Sequence, residues 1–212
     1  MTNQLNTKKE NLNSIKNICV YSSSSNKLND VYYAAARELG ILMGKAGFNL
    51  VYGGGSLGTM YQNAKAVKEF GGQVFGVLPK KLHELGVGNF NCDQLFVTEE
   101  MRSRKEKLDT LSDATIALSG GFGTLEELTE MIVQKQLGYN QKAIVILNTN
   151  GFYDHLLNFF EEIINQNFAA DDSAELYFIA KTPVEAVEYL VNYKPSEVDV
   201  AKKWLEREEL KS

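Results

Sequence analysis

Short apolar runs alternate with amphipathic stretches from Asn17 to Tyr193, and this alternation carries most of the fold. The runs Asn17–Tyr21, Phe48–Tyr52, Gln73–Leu78, Gln94–Val97, Ala114–Leu118, Ala143–Leu147 and a weaker Tyr177–Ile179 read as strands. Between them, apolar positions recur at helical spacing over Asp30–Ala46, Leu57–Phe70, Met101–Leu111, Thr124–Leu137, Tyr153–Asn165 and Pro183–Tyr193. The strand runs are apolar nearly throughout, as expected for strands covered on both faces. The alternation predicts an α/β fold: a doubly wound, mostly parallel sheet of about seven strands with helices on both faces. Punctuation agrees. Gly47 and Gly71-Gly72 follow helices as C-caps, and Thr182-Pro183-Val184-Glu185 is a capping box with proline at the first helical position.

The ends behave differently. Residues 1–14 are polar and Asn-rich and read as a disordered tail, 15–194 form the one folded domain, and 195–212 read as a docked C-terminal helix with Val198, Ala201, Trp204 and Leu205 on one face. A chain of 212 residues with 44% hydrophobic content supports one well-buried domain. A net charge of −5 argues against a nucleic-acid or anionic-membrane partner. Cys19 and Cys92 form no C-x-x-C pair, and His83 and His155 stand alone, so neither a disulfide scaffold nor a metal site is expected. No apolar run approaches the ~18 residues of a membrane span, and the N-terminus lacks a signal-peptide core, so the expected compartment is the cytoplasm.

Four polar or glycine-rich turns follow strands and fall at the sheet edge where doubly wound folds bind ligands: Ser22–Asn26, Gly53–Thr59, Pro79–Glu84 and Ser119–Thr124. The last is the most informative. Ser119-Gly120-Gly121-Phe122-Gly123-Thr124-Leu125-Glu126-Glu127 lies between a strand and a helix, where glycines let backbone N–H groups converge on a phosphate. Glu126 and Glu127 follow in the first helical turn. A phosphate cradle beside an acid suits an enzyme acting on a sugar phosphate. Two simpler readings compete: acids near a helix N-terminus complement its dipole, and Thr124 with Glu127 fits a capping box.

Gly53-Gly54-Gly55-Ser56-Leu57-Gly58 matches the dinucleotide pattern G-x-G-x-x-G, but the next strand ends in Leu-Pro-Lys, with no acid for a ribose hydroxyl. That argues against a nicotinamide enzyme while keeping Gly54 and Gly55 as candidates for a nucleotide-facing turn. In Met101-Arg102-Ser103-Arg104-Lys105-Glu106-Lys107, four cations crowd the start of a helix against its dipole. Local rules are broken most often at functional sites. Arg104 and Lys105 are the candidates, Arg102 and Lys107 are expected in solvent, and loss of the Arg104 charge is expected to leave the fold as stable or more so. The hydroxyls of Ser22–Asn26 could meet a ribose or form a plain polar loop.

Taken together, these segments resemble the LOG ("Lonely guy") family of cytokinin riboside 5′-monophosphate phosphoribohydrolases. The family signature Pro-Gly-Gly-x-Gly-Thr-x-x-Glu is matched by Gly120, Gly121, Gly123, Thr124 and Glu127, with Ser119 in place of the proline. Its companion Met-x-x-Arg-Lys is matched by Met101, Arg104 and Lys105. The similarity runs from about Ile18 to Tyr193. It implies a Rossmann-like homodimer that hydrolyses the N-glycosidic bond of purine nucleoside 5′-monophosphates, with no cofactor and no metal. Arg104 and Glu127 are then the residues needed for activity. Gly54, Gly55, Glu84, Met101, Lys105, Gly120, Gly121, Phe122, Gly123, Thr124 and Glu126 bind substrate, with phosphate on Gly121–Thr124. Val133 replaces a substrate-contacting threonine, and the loop carrying Glu84 differs in length and charge. The alternative is a non-catalytic carrier or sensor of a nucleotide-like ligand, which has no need of Glu127.

Overall fold

The computed structural model describes residues 15–88 and 91–195. The expected tail at 1–14 and all but the first residue of the expected helix at 195–212 lie outside the described residues. Seven strands form one sheet among those described: β1 (Asn17–Tyr21), β2 (Asn49–Tyr52), β3 (Val74–Pro79), β4 (Gln94–Thr98), β5 (Ala114–Ala117), β6 (Ala143–Leu147) and β7 (Phe178–Ala180). Their order is β4-β3-β2-β1-β5-β6-β7, and every pairing is parallel, as the continuous apolar runs predict.

Successive residues of each strand feed two cores. Ile18 and Val20 of β1 join Leu50, Tyr52 and Ile116 under α1 (Asp30–Lys45), α2 (Gly58–Glu69) and α7 (Pro183–Asn192), which contribute Leu39 and Met43, Val67, and Leu190. Cys19 and Tyr21 point the other way. They pack with Val51, Val77 and Ile144 under α4 (Met101–Leu111), α5 (Phe122–Gln136) and α6 (Asp154–Asn165), which contribute Leu108, Leu128 and Leu157. A short helix α3 (Lys80–Glu84) occupies the stretch after β3 that the sequence reads as a turn.

The chain winds outward from β1 through β2, β3 and β4, then returns to add β5 on the other side. The segments leaving β1 and β5 therefore diverge, and the crevice between them at the carboxyl edge is where such sheets take ligands. Leu118 N–H donates to the Tyr21 carbonyl and Thr124 Oγ1 donates to the Ser22 carbonyl, so the two segments are tied together there. Gly58 closes the neighbouring turn at φ +66, where a Cβ would also come within 2.3 Å of the Ser23 carbonyl oxygen. Only glycine suits that position.

Candidate active site

α5 begins at Phe122 with Gly121 as N-cap, two residues earlier than the sequence suggests. Thr124 is thus the third residue of the helix, and the capping box with Glu127 does not form. The Thr124 hydroxyl is spent on Ser22, and the Glu127 carboxylate turns to α4. Gly120 has a steric reason to be glycine, since a Cβ would fall 2.2 Å from Thr124 Oγ1. Gly121 and Gly123 have none: a Cβ on either would meet nothing within 4 Å. The turn is open to solvent at those two residues, and its helix N-terminus presents unpaired N–H groups to that space.

Opposite stands α4, which starts with Glu100 and Ser103 forming a reciprocal capping box. This satisfies the N-terminus that the four cations alone would strain. Arg104 is buried. Its Nη1 donates to Glu127 Oε1 at 2.6 Å, its Nε donates to the Val77 carbonyl at 3.3 Å, and its Nη2 lies where a Cβ on Gly53 would approach to 2.5 Å. Strand β3, the turn after β2 and helix α5 therefore converge on one guanidinium. The Arg104 and Glu127 side chains are only 10% and 11% exposed.

Burial raises the Glu127 carboxyl above its ordinary value; the Arg104 charge opposes that rise, and Glu126 adds to it. Beneath it, burial and then the Glu127 charge push the Cys19 thiol up to about 12, and burial lifts the Tyr21 phenol well above its usual range. Both groups are neutral at any ordinary pH. The buried groups Cys19 and Tyr21 that feel the Glu127 charge are thus uncharged. The Arg104 guanidinium is the hydrogen-bonded cation of Glu127, with Lys105 a weaker influence.

The other candidates separate into a rim and a periphery. Lys105 Nζ bridges Glu126 at 2.5 Å and Glu130 at 3.0 Å, one residue outward from the buried pair. Met101 and Phe122 are exposed, Phe122 at 92%. Gly54 sits at φ +71, a conformation that favours glycine, whereas a Cβ on Gly55 would meet only the flexible Met60 thioether. Glu84 ends α3 in solvent, with no interaction tying it to the Arg104–Glu127 pair. Arg102 is exposed as expected, whereas Lys107 is half-buried over the Phe96 ring at 4.6 Å. Val77 and Tyr21 are not among the sequence candidates, and Ser22 and Gly53 are read there only as members of polar or glycine-rich turns.

A protein-family profile described as "Possible lysine decarboxylase" matches residues 60–190. The cytokinin riboside 5′-monophosphate phosphoribohydrolase LOG of Oryza sativa subsp. japonica is 39% identical over 189 residues, covering 89% of this chain and 78% of that protein. The Arabidopsis thaliana enzyme of the same name, LOG1, is 38% identical over 190 residues, covering 89% and 88%. Among solved structures, the molybdenum cofactor carrier protein of Chlamydomonas reinhardtii is 25% identical with a TM-score of 0.63, covering 84% of this chain and 99% of that one. The molybdenum cofactor binding protein of Rippkaea orientalis is 25% identical with a TM-score of 0.61, covering 83% and 94%.

Proposed function

The chain belongs to the LOG family, and from that premise we propose that it hydrolyses the N-glycosidic bond of purine nucleoside 5′-monophosphates, of cytokinin type or with plain adenine. The products are the free base and ribose 5-phosphate. The observation that carries the reading is the buried Arg104–Glu127 pair beside an open glycine turn at the strand crossover.

In this reaction the C1′–N bond breaks as positive charge develops on the ribose, in the manner of other glycosyl transfers. Glu127, in its ionised form, stabilises that charge and takes a proton from the water whose oxygen bonds to C1′. The leaving base departs with the bonding electrons and gains a proton at nitrogen from solvent, and Glu127 returns to solvent the proton it took from water. Arg104 holds Glu127 in place and offers a hydrogen bond to phosphate or leaving base. The open N–H groups of Gly121–Thr124 receive the phosphate, Gly120 shapes the turn, and Met101, Lys105, Phe122 and Glu126 form the rim. Gly54, Gly55 and Glu84 belong to the reading only as outlying substrate contacts. Family membership also supports a homodimer, checked by light scattering of the purified protein. No described helix is long and apolar enough to cross a membrane, and we place the enzyme in the cytoplasm.

The structural kinship with molybdenum cofactor carriers favours one second reading, a protein that binds a phosphorylated ligand without reacting it. One assay separates the two. Purified protein incubated with AMP or N6-isopentenyl-AMP should release free base, and the corresponding nucleosides should be ignored. Tight nucleotide binding without turnover favours the carrier. Equal turnover of nucleoside and nucleotide contradicts the phosphate role of residues 120–124.

A further inference from the structure

Tyr153 immediately precedes α6 and reaches back to the glycine turn. Its buried hydroxyl donates to the Leu118 carbonyl at 2.7 Å. The backbone N–H of Gly120 approaches the same oxygen. One phenol therefore bonds the peptide group before Ser119 and faces the one after it. Ser119 itself contributes nothing to this: its Oγ is buried and has no hydrogen-bond partner. The phenol is anchored in turn. Tyr153 N–H donates to Asn148 Oδ1 at 2.8 Å, Asn148 N–H donates to the Ala180 carbonyl at 2.8 Å, and the ring packs edge-on against Phe152 at 4.9 Å.

We propose that Tyr153 is a positioning residue for the phosphate turn, strapping the backbone around Ser119 into the conformation that aims the N–H groups of Gly121–Thr124. The inference rests on the proposed phosphate role of that turn. A buried tyrosine commonly finds one acceptor for its hydroxyl. Bonding the carbonyl on one side of a residue with the N–H on its other side set against the same phenol oxygen does more, because it limits the two dihedrals between them. In the matched signature a proline occupies position 119, and a proline ring fixes φ by itself. Serine leaves that dihedral free, and the strap from α6 restores the restraint from outside.

Tyr153→Phe keeps the ring and removes the strap. Ribose 5-phosphate binding, followed by calorimetry, should weaken about tenfold, and KM for AMP should rise alike while kcat stays within about threefold. Adding Ser119→Pro to Tyr153→Phe should bring both constants back to within about threefold of wild type. A merely structural loss would lower the melting temperature without moving either constant, and proline would not rescue it. Unchanged ribose 5-phosphate affinity in Tyr153→Phe, or a loss that proline fails to repair, overturns the proposal. If Tyr153→Phe does not fold, Ser119→Gly in the wild-type background decides: the strap predicts affinity within about threefold, and a tenfold loss contradicts it. A wild-type protein that neither binds ribose 5-phosphate nor releases base refutes the proposed function itself, and the strap's role with it.

Discussion

Two ion pairs join α4 to α5, one residue apart on each helix, and they live in different solvents. Arg104 and Glu127 meet at 2.6 Å with side chains 10% and 11% exposed. Lys105 meets Glu126 at 2.5 Å and Glu130 at 3.0 Å, with Lys105 at 22% and the carboxylates at 56% and 37%. The outer cluster is partly open to solvent and screened, and pairs of that kind contribute roughly 0–1 kcal/mol. The inner pair has given up hydration on both sides, so each charge depends on the other, and the guanidinium also on the carbonyl of Val77. Against an apolar replacement of both residues such a pair adds little stability, but losing one partner strands the other charge, and the pair fixes geometry. It keeps a desolvated carboxylate fixed against the guanidinium, beside the glycine turn that opens α5.

The comparison breaks most visibly at Arg104. The sequence alone suggests that removing a cation from the start of α4 relieves the dipole; the structure reverses that sign, because the capping box already satisfies the helix end and Arg104 is buried against Glu127. Arg104→Ala should lose turnover and, near neutral pH, about 3–5 kcal/mol of stability, read from denaturant unfolding. Retained stability would mean the inner pair is as dispensable as the outer.

The pH dependence sharpens the same point. The Glu127 carboxyl titrates above its ordinary value in the folded chain, so the folded state binds more protons between the unfolded value of ~4.3 and the raised one. This group's contribution to stability therefore falls as pH rises through that window and is flat above it. If catalysis needs the ionised carboxylate, the acid limb of kcat/KM lies above the ordinary glutamate range. In Arg104→Ala the lowering charge is gone, and the carboxyl should titrate higher still by NMR. An acid limb at or below the ordinary value would contradict the desolvated site.

Smaller effects belong to the outer register. Lys105→Ala should cost less than ~1 kcal/mol of stability and raise KM for AMP by about threefold to tenfold, the effect of one rim contact. Arg102→Ala should match wild type in both base release and melting, since Arg102 is exposed. An inactive Arg102 variant would move the site to another face of α4.

The sheet and the helix faces were legible because burial leaves a periodic trace. Cys19 and Val20 alternate between the two cores, and α4 runs over Met101–Leu111 as its spacing predicts. Arg104 and Arg102 could be told apart because residues two apart on a helix point ~200° apart. What the periodicity could not reveal is pairing at long range. Thr124 bonds Ser22 and Tyr153 bonds Leu118, across 102 and 35 positions. The local pattern at Thr124 even suggested a different partner, Glu127. The short helix Lys80–Glu84 was missed because it buries none of its residues and so has no apolar face to read.

The central claim is that Glu127 is held for chemistry and not for helix capping, and Glu127→Gln tests it most directly. Glutamine keeps the shape and the bond to Arg104 but cannot take a proton from water. Base release from AMP should fall by on the order of 10²-fold or more, while ribose 5-phosphate binding stays close to wild type. A variant that still releases base at near the wild-type rate would contradict the account.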